Sequence, residues 1–150
     1  MMKKKISVVL AAALLVCAMV LPASAAQETY CQTETIYTDF GPVEVKTVIT
    51  VHESLARSST RSADISRTFT ADGTTIAVVT LSATFGYNGS SAWVISSSGS
   101  HTTYNGWSYG NESITSSGGT AYLTATLYHL LHRNIAVSIS LTCSPTGQIS

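Results

Sequence analysis

The stretch Ile76-Ala77-Val78-Val79-Thr80-Leu81-Ser82-Ala83-Thr84-Phe85-Gly86-Tyr87 decides the fold. Its odd positions, Ala77, Val79, Leu81, Ala83, Phe85 and Tyr87, put apolar groups on one face. A period of two belongs to a strand, whose successive side chains point to opposite sides; a helix repeats its apolar residues three and four apart. Two later stretches keep the same period. In Ile135–Cys143 the odd positions are Ile, Val, Ile, Leu and Cys, and in Thr120–Tyr128 they are Ala121, Leu123, Ala125 and Leu127. Each predicts a strand with one face on a core and one toward water.

Turn residues mark off the other strands. Asp72-Gly73 separates Ser66–Ala71 from the Ile76 strand, and Asn88-Gly89 separates that strand from Ser91–Ser97. Both pairs tolerate the positive φ of tight hairpins. Asn105-Gly106 and Ser116–Gly119 mark two more turns, and Tyr30–Tyr37 and Val43–Ser54 read as strands near the start. The pattern predicts an all-β domain: a two-sheet, immunoglobulin-like sandwich of seven to nine strands. The polar segment 54–65, with Arg57 and Arg61, reads as a crossover loop in preference to a processed linker.

The chain opens on Lys3-Lys4-Lys5, an apolar run from Ile6 to Leu21, and Pro22-Ala23-Ser24-Ala25-Ala26. A cationic start, an apolar middle and small residues at a cut site predict a signal peptide over residues 1–25 and a domain over 26–150. The run is too short for a bilayer-spanning helix, and no second run of spanning length follows. A secreted, extracellular product is expected. Losing the three lysines takes Lys+Arg from eight to five against eight acidic residues, which argues against nucleic acid as a partner.

Cys17 leaves with the signal, so Cys31 and Cys143 remain. An exported chain with two cysteines predicts one disulfide, here tying the first strand to the last; two free thiols are the alternative. Roughly a third of the domain is Ser or Thr. In this overall manner it resembles small Ser/Thr-rich exported proteins of Gram-positive bacteria, a likeness of composition that implies no site residues.

Three groups of residues are candidates for function. Tyr104, Trp107 and Tyr109 stand in an aromatic-rich stretch and could stack on sugar rings; large rings also serve as core plugs. Trp93 shares its strand parity with Ile95 and reads as core, whereas Trp107, beside Asn105-Gly106, reads as exposed. Leu130 and Leu131, followed by Arg133, sit where a hairpin tip is normally polar, so they read as a partner or membrane contact, or as a cap folded onto the sandwich.

Chemistry offers less. His129 and His132 lack further ligands at zinc-site spacing, so no metal or cofactor is assigned. Gly-x-Ser-x-Gly is absent, adjacent His52 and Glu53 point to opposite faces of a strand, and nothing pairs two among Asp39, Glu44, Asp64 and Glu112. The sequence therefore predicts a non-enzymatic secreted domain that binds a glycan or a protein. The alternatives are a membrane-active, bacteriocin-like protein using the Leu130-Leu131 loop and a small secreted hydrolase with no identifiable active site.

Overall fold

Thr74–Tyr87 forms one unbroken strand in which Ala77, Val79, Leu81 and Phe85 are fully buried, while Thr80, Ser82 and Thr84 look out from the opposite face. The computed structural model describes residues 28–52 and 59–150. Among them it shows eight strands: β1 (Glu28–Thr38), β2 (Gly41–His52), β3 (Thr60–Ala71), β4 (Thr74–Tyr87), β5 (Ala92–Thr103), β6 (Ser108–Ser117), β7 (Thr120–Tyr128) and β8 (Ile135–Thr142). The expected signal segment lies outside the described residues.

Two antiparallel sheets result, one of five strands in the order β1-β2-β3-β4-β5 and one of three in the order β6-β7-β8. Their inner faces share one core, to which β2 brings Val43, Val45 and Val51, β3 Ile65 and Phe69, and β7 and β8 their alternating leucines, isoleucines and valine. Each such side chain contributes about 1.5–3 kcal/mol relative to exposure. This is the expected all-β sandwich.

The topology departs from the immunoglobulin-like expectation. Every hydrogen-bonded neighbour in both sheets is also the next strand in sequence, a meander, whereas an immunoglobulin sandwich joins non-consecutive strands by Greek-key crossovers. The turns enforce this order. Asp72 and Gly73 both take positive φ (49° and 74°), as the tightest hairpin turn requires, so β4 must lie beside β3. At the β4–β5 turn the Asn88 carboxamide oxygen accepts from the Ser90 and Ser91 amides at 3.0 and 2.8 Å, a side-chain mimic of a backbone turn. Among the described residues, only the connection through Asn105-Gly106 takes the chain from one sheet to the other.

The expected loop 54–65 is shorter than its composition suggests. β3 already starts at Thr60, and Ala63 and Ile65 are buried in register with Phe69; residues 53–58 lie outside the described set. Two arginines hid the strand. Arg61 and Arg67 share the parity of those buried residues, so the alternation reads as broken. The Arg67 Nε is buried and has no hydrogen-bond partner among the described residues.

The expected disulfide is not formed: Cys31 and Cys143 are free. The two ends of the chain do meet, since Tyr30 and Ile49 line one hollow together with Thr142, Ser144 and Ile149. Strand parity accounts for the missing bond. Tyr30 pairs with Ile49 and Cys31 with Val48, so Cys31 points to the outer face of the five-stranded sheet. Cys143 is in the core, where its Sγ–H donates to the Ser144 carbonyl at 3.4 Å. Burial pushes its thiol up from the ordinary value, partly offset by Arg61.

Candidate functional site

The outer face of the five-stranded sheet is tiled by short polar side chains. Register aligns Thr50, Asp64, Ser82 and Ser98 across four strands, and beside them His52, Ser62, Thr84 and Ser96. Ser62, Asp64, Ser82, Thr84, Ser96 and Ser98 line an open hollow on this face. Some hydroxyls satisfy one another, as Ser62 and Thr84 do at 2.9 Å and Ser66 and Thr80 at 2.7 Å. Ser96 and Ser98 have no side-chain partner among the described residues, which leaves them able to bond a ligand.

One ionisable pair stands on this face. His52 Nε2 and Asp64 Oδ2 are 2.7 Å apart, and Asp64 also accepts from Ser82. Burial alone would raise the Asp64 carboxyl, but the bonds from Ser82 and His52, with the charge of the ring, outweigh it and hold the group below its ordinary value. The order of the three groups limits their chemistry. In a serine triad the imidazole lies between hydroxyl and carboxylate and removes the hydroxyl proton. Here the carboxylate is in the middle, so Ser82 donates to Asp64 and has no imidazole base beside it.

Beside the hollow lies Trp93, 43% exposed. It pairs with Gly86, and a Cβ at that position would lie 2.4–2.5 Å from three indole atoms, so the ring lies face-on over the missing side chain. Ile95, also exposed, extends this apolar patch. Trp93, expected in the core from its shared parity with Ile95, is instead on the outer face. Thr84 pairs with Ser96 but Phe85 with Val94, so Ile95 is an extra residue in a bulge. The bulge shifts the parity, turning Ala92 and Val94 inward and Trp93 outward.

Trp107 is the opposite case. It is only 8% exposed and belongs to the core, so it cannot stack on a ligand. Asn105 and Gly106 make a tight turn, closed by the Trp107 amide donating to Tyr104 at 3.1 Å. Because this turn joins two sheets, its exit points into the space between them. There the indole meets Phe40 and His129, with ring centres 5.6 and 5.1 Å away. Tyr104 stays exposed at the same end.

Tyr109 is on β6, half-buried, stacked on His101 at 3.8 Å, and its hydroxyl donates to Glu112 at 2.6 Å. Burial, reinforced by that carboxylate, pushes its phenol well up. The three predicted aromatics thus do not form one platform. Among the described residues no group of three or more His, Cys, Asp or Glu could hold a metal ion. No family model matches the chain, and neither a curated protein nor a solved structure matches it.

Proposed function

We propose that the mature protein is a secreted, non-enzymatic binding domain that takes carbohydrate on the outer face of its five-stranded sheet. The carrying observation is the Trp93 indole, laid face-on over Gly86 and open to solvent beside a hydroxyl-lined hollow. A sugar ring has one apolar face and a rim of hydroxyls. The indole offers a flat apolar partner, Ser96 and Ser98 follow it on the same strand, and the His52–Asp64 pair offers donors and acceptors farther across the same face, where further units of a polymer would lie. An enclosed pocket is not needed for a polymer, which lies along a face.

A glycan array followed by calorimetry with soluble oligosaccharides tests this reading. Trp93→Ala should weaken binding about tenfold or more, the equivalent of at least ~1.4 kcal/mol. An array with no glycan whose binding depends on Trp93 would sink the proposal.

A further inference from the structure

The 129–134 loop divides its side chains in two. His129 and His132 turn back into the molecule, stacked on each other at 4.6 Å, with His132 against Phe40 at 4.4 Å and His129 against Trp107 at 5.1 Å. The Leu131 amide donates to His129 Nδ1 at 3.1 Å, which fixes the backbone between them. Leu130 and Leu131 point the other way and are 100% and 83% exposed. The cap that the sequence allowed is therefore made by the histidines alone. The leucines take no part in it, and a polar pair would serve the same loop.

We infer that this tip docks the protein on a phospholipid bilayer with zwitterionic headgroups, by dipping Leu130 and Leu131 into the acyl boundary. The tip is convex, so a protein receptor would need an apolar hollow to match. A second copy offers no purely apolar one in the hollows described above: one is lined largely by hydroxyls and Asp64, and in the other Tyr30, Ile49 and Ile149 stand among Glu28, Arg61, Gln148 and hydroxyls. A bilayer asks for no matching shape. Tyr37 and Tyr104 are exposed at this same end, and amphipathic rings favour the headgroup level. Charge selects the headgroup. Arg133 is countered by exposed Asp39 and Asp72 on neighbouring turns, so no cationic excess exists to seek anionic lipid. The rigid ring stack beneath means that little ordering is needed on contact.

Flotation of the secreted protein with phosphatidylcholine vesicles, alone and mixed with phosphatidylserine, tests the inference. The wild type should float with phosphatidylcholine alone, and the Leu130→Ser/Leu131→Ser double variant should partition at least tenfold more weakly. Both leucines are exposed, so the variant should keep the wild-type unfolding midpoint. Trp93→Ala should float as the wild type does, which separates this surface from the sugar-binding face. Three results would each overturn the inference: no flotation of the wild type, equal flotation of the double variant, or binding that requires phosphatidylserine and survives loss of the leucines. Light scattering that shows the leucines holding two copies together would overturn it as well.

Discussion

The two tryptophans lie in opposite environments, one on the outer face of the five-stranded sheet and one between the sheets. Trp93 sits within an apolar strand segment and lies outside; Trp107 follows a turn and lies inside. The difference shows that side-chain direction depends on what a strand or turn is joined to. A single bulge reverses one face of β5, and a turn between sheets delivers its next residue to the core.

The sharpest way to break this comparison is to remove each ring. Trp107→Ala should lower stability by about 3–5 kcal/mol, the usual loss for a buried indole. Trp93→Ala should cost less, about 1–2 kcal/mol for a ring that is 43% exposed, while weakening sugar binding about tenfold or more. Urea denaturation of both variants decides it, and equal losses would mean that the rings are not in different environments.

A Cβ under the exposed ring comes next in size. Gly86→Ala should displace the indole, costing about 1–3 kcal/mol as overpacking does, and shift Trp93 fluorescence. An unchanged spectrum would show that the ring does not rest on the glycine.

The two thiols offer a third contrast of outer against inner positions. Cys31, half-buried on the outer face, should react with a thiol reagent in the native protein, and Cys143 only on unfolding. A purified protein with no titratable thiol would restore the disulfide and overturn the parity argument.

The smallest effect is on the polar face. The Asp64 carboxyl is held below its ordinary value, so its contribution is present above the ordinary carboxylate range and disappears as pH falls through the depressed folded-state value. Asp64 is partly exposed, and the pair should contribute no more than about 1 kcal/mol. Asp64→Asn should therefore differ from wild type near neutrality and converge with it in acid, as urea midpoints across that range would show.

Much of the fold was legible because alternation in Ile76–Tyr87, Thr120–Tyr128 and Ile135–Cys143 is a direct consequence of strand geometry. Asp72-Gly73 and Asn105-Gly106 likewise announce turns through their tolerance of positive φ. What stayed hidden depends on pairing. Cys31 belongs to a strand with no clear apolar face, so its parity follows only from its partner Val48. The hollow gathers Ser62, Asp64, Ser82 and Ser98 from three strands, and no short-range pattern in a Ser/Thr-rich chain singles them out. A glycine opposite an aromatic ring was the one available signal, and it can be read only after register is known.

The meander has a further consequence for how the molecule comes into being. Each strand finds its partner in the segment made just before it, so most pairings close short loops and lose little chain entropy. A polypeptide of this kind can assemble hairpin by hairpin as it lengthens, leaving few edges waiting for a distant mate. Only the docking of one sheet on the other must wait for the final third of the chain.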